Sequence, residues 1–297
     1  MFSITSSSDL YVTYTLRDGQ ANSSVDIVPE RGGMVVAAKI GDLDLFYLDA
    51  ERFTHPELSV RGGNPFLFPI CGNTPDNRYT WNEKTYELKQ HGFGRTLPWT
   101  VEKSETTDAG AALTVLLKDT PETLAVYPFH FEVRLTYVWS GTTLTVDQEY
   151  RNTSDEPMPF SYGFHPYFAA PDKSALAFDL PNASYFDRAN DVNATWPDAQ
   201  WDFTLDEIDA AFEALPNDQP ITTSVSDRAQ NLKLTMTTGG SSRHLVFWTV
   251  KGKPFYCLEP WSGPRNSINT GTDLTVLEPG EAHCDRLVLQ WEKLGAS

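Results

Sequence analysis

The chain has 297 residues, of which 40% are hydrophobic and 12% aromatic, so it can bury a large core and does not have the composition of a disordered protein. Its 23 basic and 40 acidic side chains give a formal net charge of −17, which argues against nucleic acid and anionic membranes as partners. Three cysteines without CxxC spacing, and the absence of an apolar run of membrane-spanning length, argue against a disulfide framework, a zinc site and a membrane span.

Alternation of apolar and polar residues, the pattern of half-buried strands, recurs along the chain. It predicts strands at residues 25–28, 34–40, 42–47, 113–117 and 129–137. A further strand at residues 143–150 follows Ser140-Gly141, so it is predicted to form a hairpin with the strand before it. The later predicted strands are residues 232–237, 244–250, 255–258 and 287–291.

Helical spacing of apolar residues is clearest at residues 205–215, where Leu205, Ile208, Phe212 and Leu215 recur before Pro216. We expect a short helix there, inserted on a β scaffold. Residues 54–81 are rich in Gly, Pro and Asn and predict a long loop that brings backbone close to a ligand or wraps the sheet. No repeat or linker divides the chain, so we expect one domain, residues 1–297, built as an all-β antiparallel sandwich with one or two short helices.

Three polar side chains stand out for their context. His165 lies among Phe164, Tyr167 and Phe168, and aromatic faces beside a titratable group are typical of sugar sites, although a core histidine bonded to a carbonyl is equally compatible. His91 precedes Gly92 in a segment that includes Arg95, which indicates either a ligand site or a tight turn.

Glu259 follows an apolar strand and shares one strand face with Cys257, so we expect it at the rim of a sheet, as a functional carboxylate or a solvated strand end. An imidazole and a carboxylate could supply the acid and the base that opening and reclosing a sugar ring requires, from opposite sides of the sugar. Motifs for metalloproteases, serine hydrolases, phosphate loops and dinucleotide binding are absent, and His283 near Glu281 and Cys284 lacks a ligand framework. We therefore predict no metal and no cofactor.

Five segments together resemble the aldose 1-epimerase (galactose mutarotase) family, and more closely its bacterial aldose-1-epimerase-like branch. These segments are Arg61-Gly62-Gly63-Asn64-Pro65 with Phe68-Pro69, His91-Gly92-Phe93-Gly94-Arg95, Gly163-Phe164-His165-Pro166-Tyr167-Phe168, Leu258-Glu259-Pro260-Trp261 and Leu277-Glu278-Pro279-Gly280-Glu281. The resemblance implies a large antiparallel β-sandwich, with His165 as general acid and Glu259 as general base. It also implies that the substrate contacts Arg61, His91, Arg95, Asp187 and Trp261.

On this interpretation the chain is an isomerase that interconverts the α and β anomers of a hexose. Its partner would be a small-molecule sugar, and the protein would be a monomer or homodimer. Because residues 1–10 contain neither a basic residue nor an apolar segment, we expect no secretory signal and a cytoplasmic location. The acid role requires a raised histidine pKa, and the acidic overall charge is expected to raise it.

Three alternatives remain open at this point. The first is a hexose-6-phosphate 1-epimerase in which Arg61 and Arg95 bind the phosphate, although no third basic residue is evident beside them. The second is a carbohydrate-binding β-sandwich without catalysis, and the third is a glycosidase, which needs a second carboxylate.

Overall fold

The structure is a computed structural model that describes residues 1–180, 184–195, 201–212, 214–215 and 220–295. The first thirteen strands are β1 (Phe2–Ser8), β2 (Val12–Asp18), β3 (Ser23–Val28), β4 (Met34–Ile40), β5 (Leu43–Asp44), β6 (Phe66–Leu67), β7 (Arg78–Trp81), β8 (Lys84–Glu87), β9 (Thr100–Thr107), β10 (Gly110–Lys118), β11 (Phe131–Ser140), β12 (Thr143–Asn152) and β13 (Met158–Phe160). The later strands are β14 (Gly163–Phe164), β15 (Tyr167–Ala169), β16 (Leu176–Asp179), β17 (Ser184–Asp187), β18 (Val192–Thr195), β19 (Glu207–Phe212), β20 (Ile221–Asp227), β21 (Leu232–Thr238), β22 (His244–Val250), β23 (Phe255–Trp261), β24 (Thr275–Leu277) and β25 (Ala282–Lys293).

The helices of the described residues are short and lie between strands. They are α1 (Ala50–Thr54), α2 (Pro121–Val126) and α3 (Ser267–Thr270), with single 3-10 turns at Pro75–Asn77 and Lys173–Ala175. Local capping explains two of them: the Asp49 carboxylate accepts from the backbone N–H of Arg52 at the start of α1, and Thr120 and Thr123 form a reciprocal capping box on α2. Within the described part of the chain, no helix has the length and apolar character needed to cross a bilayer.

Two eight-stranded antiparallel sheets form the body of the molecule. One, here called the support sheet, has the order β16-β20-β21-β25-β12-β11-β10-β9. The other, here called the site sheet, has the order β18-β17-β19-β22-β23-β14-β6, with β15 also paired to β23. A five-stranded sheet, β1 to β5 in sequence order, and the strand pairs β13–β24 and β7–β8 complete the fold.

The core lies between the two large sheets. Along β11 every second residue is buried, which is the pattern of a strand with one face on a core. Aromatic rings join the sheets across this layer: Phe66 of β6 stacks on Tyr150 of β12 at 6.2 Å between ring centroids, and Phe178 of β16 meets Phe247 of β22 at 5.2 Å. The predicted antiparallel β-sandwich is therefore confirmed.

Each strand predicted from alternation overlaps a strand of the structure, and those at 34–40 and 244–250 match β4 and β22 at both ends. The predicted strand 42–47 contains only the two-residue β5, and the predicted strand 287–291 lies inside the longer β25. The predicted helix at residues 205–215 is wrong, because residues 207–212 form β19 between β17 and β22. Ile208 and Phe212 are four apart, a spacing that suits both a helix face and every second strand position, and buried Ala210 between them favours the strand. Residues 54–81 contain the short strand β6 and the edge strand β7 within otherwise irregular backbone.

Candidate active site

Strand register brings His165 and Glu259 together. Gly163 of β14 pairs with Trp261, and Tyr167 of β15 pairs with Cys257, both antiparallel to β23. The residue midway between the first two, His165, is therefore opposite the residue midway between their partners, Glu259. Residues opposite each other on neighbouring strands project from the same face. His165 and Glu259 are 94 positions apart in sequence, yet their side chains project from the same face of the site sheet.

The two side chains are in contact. His165 Nε2 lies 3.3 Å from Glu259 Oε1, and the side chains are 10% and 2% exposed. Glu259 is in the middle of the sheet, paired on its other side with Val246 of β22, so the expected position at a sheet rim is wrong. The predicted acid and base therefore lie side by side, whereas the sequence analysis expected them on opposite sides of the sugar.

Aromatic rings surround the histidine and the carboxylate. The Tyr167 ring stacks on His165 with 4.8 Å between centroids, and Trp248 meets the same imidazole edge-on at 5.8 Å. Trp261, two residues beyond Glu259 on the same strand face, donates from Nε1 to Glu259 Oε2 at 3.2 Å. The carboxylate therefore keeps one oxygen toward the imidazole while the indole holds the other.

His91 joins the cluster from the loop that follows β8. Its ring centroid lies 5.6 Å from that of His165 and 5.7 Å from that of Trp261. The backbone N–H of Gly72 donates to His91 Nδ1 at 3.1 Å, so the neutral ring carries its proton on Nε2. Gly92 has a φ of +63°, and a Cβ there would lie 2.2 Å from the carbonyl oxygen of Phe68. Only glycine allows this close approach, which explains the residue after the histidine.

Burial shifts the pKa values of the site so that the neutral form of each group is favoured. It raises the pKa of Glu259 well above its usual value, and the nearby Asp209 carboxylate adds to that rise. It lowers the pKa of His165 to about 3, with Arg95 as the next contributor. The expectation that the overall acidic charge would raise the histidine pKa is therefore wrong, because desolvation and the nearby arginines dominate locally. Burial lowers the pKa of His91 in the same way, which makes it a neutral donor.

Four arginines lie at or beside the cluster, two of them unanticipated from sequence. Arg61, Arg95 and Arg265 line the cavity, and the Arg188 guanidinium lies 5.5 Å from the Trp261 ring centroid. Among the described residues, Arg61 and Arg95 form no ion pair, and the one hydrogen bond of the Arg95 side chain goes to the Gln90 carbonyl. These two guanidinium groups are free to bind a ligand.

Asp209 of β19 ties the other two arginines together. Arg188 donates to its Oδ1 and Arg265 to its Oδ2, each at 3.1 Å. Asp209 pairs in register with Trp248, which pairs with Cys257, so it projects from the same face of the site sheet as Glu259. The sequence analysis missed Asp209 because its segment was interpreted as a helix. Strand alternation would have placed Asp209 on the face opposite to the buried Ile208 and Phe212.

These side chains surround one cavity of about 270 Å³, a size that suits a single small ligand. Its lining includes six of the seven predicted site residues: Arg61, His91, Arg95, His165, Glu259 and Trp261. Asp187 is the exception. Its carboxylate accepts from the backbone N–H groups of Ala189 and Asn190 and from the Asn190 amide, so it stabilises the turn after β17 and does not line the cavity.

His165, Cys257 and Glu259 form the one group in the described part of the chain that could hold a metal ion, with one donor atom each within 4.8 Å. This donor set suits a resident metal poorly. Burial raises the pKa of the Cys257 thiol, which keeps it in the protonated form that does not bind metals. The imidazole and the carboxylate are also already close enough to exchange a proton directly.

Comparison with known proteins gives a consistent result. A family model described as aldose 1-epimerase matches residues 12–290. The crystal structure of the Slr1438 protein from Synechocystis sp. PCC 6803 is 38% identical, covers 99% of this chain and 100% of its own, and superposes with a TM-score of 0.91. A galactose mutarotase-like protein from Clostridium acetobutylicum is 20% identical over 99% of both chains with a TM-score of 0.83. Protein LacX of Lactococcus lactis subsp. lactis is 25% identical over 72% of this chain and 78% of its own length.

Proposed function

The chain belongs to the aldose 1-epimerase family, and we propose on this premise that it interconverts the α and β anomers of a free hexose. The contact between His165 Nε2 and Glu259 Oε1, 3.3 Å apart at the wall of a sugar-sized cavity, is the observation that carries the proposal. The ring oxygen and the anomeric hydroxyl of a pyranose are bonded to the same carbon. An acid and a base that serve these two oxygens must therefore be neighbours, as His165 and Glu259 are.

The proposed step is a proton exchange around C1. Glu259 takes the proton of the anomeric hydroxyl, the O–H electrons form the C1 carbonyl, the C1–O5 bond breaks, and His165 gives a proton to O5. Rotation about C1–C2 presents the other face of the aldehyde. The same groups then return the protons in reverse, so no electrons are gained or lost and no other reactant is consumed.

His165 and Glu259 together must hold one proton for the proposed step. Their burial is compatible with that protonation state. A carboxylate beside an imidazolium and a carboxylic acid beside a neutral imidazole hold the same single proton. Burial favours the uncharged form, as the raised pKa of Glu259 and the lowered pKa of His165 indicate. Ring opening as proposed converts the charged form into the uncharged one. Desolvation therefore assists this step, and sugar hydroxyls stabilise the charged form before it.

The remaining side chains bind the sugar. His91 donates from Nε2 to a hydroxyl, which replaces the contact of 3.3 Å from the Gln90 side-chain amide, since its Nδ1 is occupied by Gly72. Trp248 and Trp261 offer apolar surfaces to the C–H groups of the ring. We retain Asp187 among the proposed substrate contacts only for a sugar that extends beyond the cavity, because its carboxylate caps its own turn.

Polarimetry or NMR of freshly dissolved α-D-glucose and α-D-galactose tests the proposal. The protein should accelerate mutarotation of at least one hexose, and His165→Asn and Glu259→Gln should each reduce kcat by about 10²–10⁴-fold, the contribution of one positioned acid or base. Sugar binding without any acceleration would instead favour a carbohydrate-binding protein. Full activity in either variant would remove the assigned roles.

A second candidate substrate is a hexose 6-phosphate, and the arginines are the reason to consider it. The sequence analysis found no third basic residue beside Arg61 and Arg95, but Arg265 lines the same cavity and Arg188 lies beside it. Arg61 and Arg95 have no ion-pair partner among the described residues, and two unpaired guanidinium groups are suited to a phosphate.

Comparing kcat/KM for glucose and glucose 6-phosphate in wild type and in Arg61→Ala and Arg95→Ala separates these substrates. If the phosphorylated sugar is the substrate, each variant should lower its kcat/KM by about 10-fold or more while that for glucose changes little. Equal losses on both sugars would assign the arginines to sugar hydroxyls.

A further inference from the structure

Arg31 is a buried cation with an unusual set of partners. The residue is 4% exposed although it bonds to an exposed surface segment, and none of the ion pairs among described residues includes it. Instead its Nη1 donates to the Pro56 carbonyl at 3.0 Å, and its Nη2 donates to the carbonyls of His55 and Leu58 at 2.8 and 2.6 Å. Burying a guanidinium without a carboxylate is costly, and these three bonds offset part of that cost while they fix the backbone of residues 55–58.

The bonded segment leads directly into the candidate active site. Residues 55–60 follow α1 without strand or helix structure, and Ser59, Val60 and Arg61 line the cavity. Irregular backbone is mobile unless side chains satisfy its carbonyls. Arg52 contributes a weaker, exposed hold on Ser59, at 3.1 Å to its carbonyl and 3.3 Å to its hydroxyl. Arg31 is thus the buried anchor of the segment that carries Arg61.

The residue after Arg31, Gly32, contacts the backbone of the segment that carries Arg95, another residue of the cavity lining. The N–H of Gly32 donates to the Leu97 carbonyl at 3.1 Å. Gly32 has a φ of +78°, and a Cβ at this position would lie 2.3 Å from the Arg95 carbonyl oxygen. The 31–33 turn therefore packs behind the backbone of Arg95 while the Arg31 side chain holds the segment before Arg61.

We propose that Arg31 is a positioning residue that holds the 55–61 segment, and with it the Arg61 guanidinium, in the geometry required to bind substrate. This inference rests on the proposed function for the identity of the substrate. The acid and base lie on the site sheet, and none of the hydrogen bonds of Arg31 reaches them. Loss of Arg31 should therefore weaken substrate binding and leave the chemical step nearly intact.

Steady-state mutarotation of glucose and glucose 6-phosphate by Arg31→Gln and Arg31→Lys gives the first test. For the sugar whose KM depends on Arg61, we expect KM to rise on the order of 10-fold in the glutamine variant, with kcat within about 2-fold of wild type. Lysine keeps the charge but lacks the planar fork, so the KM of Arg31→Lys should lie between those of wild type and Arg31→Gln. Arg134→Gln, which removes an arginine from a surface ion-pair network of the support sheet, is the matched control and should leave KM unchanged. A lower kcat at constant KM in Arg31→Gln would overturn the proposal.

A double-mutant cycle tests whether Arg31 acts through Arg61. If it does, Arg31→Gln should raise KM much less in an Arg61→Ala background than in wild type. Additive effects would show that Arg31 supports only the general fold.

Hydrogen exchange provides a readout that does not depend on turnover. The Leu58 amide, which donates to the His55 carbonyl, and the Asp49 amide, which donates to the Arg61 carbonyl, should exchange about 10-fold faster in Arg31→Gln, while the amides of β23 keep their protection. Unchanged exchange of these two amides would contradict the proposal even in an active enzyme. Absence of mutarotation in the wild type would instead reject the proposed function and leave the exchange result to decide the role of Arg31.

Discussion

At the scale of single residues, the site combines two titratable groups that each oppose becoming charged. Glu259 is 2% exposed in its side chain and His165 is 10% exposed, and they titrate as one coupled pair. The useful state holds one proton. A second proton gives an imidazolium beside a carboxylic acid, which can no longer accept a proton, and loss of the proton leaves no acid.

The pH dependence of kcat/KM follows from the pKa shifts of this pair. Because the pKa of His165 is lowered to about 3, the second proton is taken up well below the ordinary histidine range. Activity should therefore persist at pH 5, where a histidine of pKa ~6.5 would be almost fully protonated. Because the pKa of Glu259 is raised, activity should decline only when the pair loses its proton well above the ordinary carboxyl range. Loss of activity as the pH falls, with a midpoint near the ordinary histidine value of ~6.5, would contradict this prediction.

Trp261→Phe isolates the indole hydrogen bond to the carboxylate. The change removes the Nε1–H donor at 3.2 Å and leaves most of the ring surface, so the buried carboxylate loses stabilisation. We expect kcat to fall about 10-fold and the high-pH limit of kcat/KM to move upward, since ionisation becomes harder. Trp139→Phe is the control, because it removes an indole hydrogen bond to Ser23 in the core. A high-pH limit that does not move would contradict the role of the indole.

At the scale of elements, β23 organises the site by alternation. Tyr256 and Leu258 belong to the main core, while Cys257, Glu259 and Trp261 project from the opposite face. The adjoining β14 and β15 are two and three residues long, and the residues between them carry His165. The pairing register is the same before and after this interruption, so His165 still lies opposite Glu259, and its N–H donates to the Pro65 carbonyl.

Asp209→Asn tests the coupling between β19 and β23. Asp209 raises the pKa of Glu259, and Arg188 and Arg265 lower it. Removing the carboxylate charge leaves these two guanidinium groups without their ion-pair partner, so the carboxylate of Glu259 is stabilised and its pKa should fall. We therefore expect the high-pH limit of kcat/KM to move downward, opposite to the effect of Trp261→Phe. An upward move would show that Asp209 affects the site by another route.

Much of the fold could be predicted from sequence, because half-buried strands such as β4, β11 and β22 leave period-two patterns. The failures have physical causes. β14 and β15 are too short to show a pattern, and β19 has apolar spacing that also suits a helix. Motifs located His165 and Glu259, but their contact depends on the pairing of β14 and β15 with β23, which no local pattern encodes. The pKa directions depend on burial and on Arg95, which sequence does not reveal.

At the scale of the whole molecule, Phe68 lies where several layers of the core meet. It is fully buried and contacts Phe66, Phe93, Tyr127, Phe131, Tyr150 and Phe160. Phe68→Ala should lower the free energy of unfolding by about 3–5 kcal/mol in urea titrations. Phe186→Ala is the control, because Phe186 is 37% exposed on β17 and should cost much less. Equal losses would mean that Phe68 does not join the sheets as described.

The net charge of the whole chain differs from the charge of the residues that line the cavity. The chain carries a net charge of −17, yet three arginines line the site beside three carboxylates: Arg61, Arg95 and Arg265, with Glu207, Asp209 and Glu259. The charge of the cavity lining is therefore balanced, whereas the charge of the whole chain is strongly negative. The sign of the total charge is therefore a poor guide to the sign of the substrate.

The pairing of β14 and β15 with β23 also bears on how the proposed activity would return after denaturation. His165 and Glu259 meet only when segments nearly a hundred positions apart have docked in the correct alignment, and a slip by one residue would turn either group into the core. Pairings of such long sequence separation form slowly, because loop closure must precede them. Recovery of turnover should therefore not precede the return of tryptophan fluorescence, because Trp248 contacts His165 and Trp261 contacts Glu259.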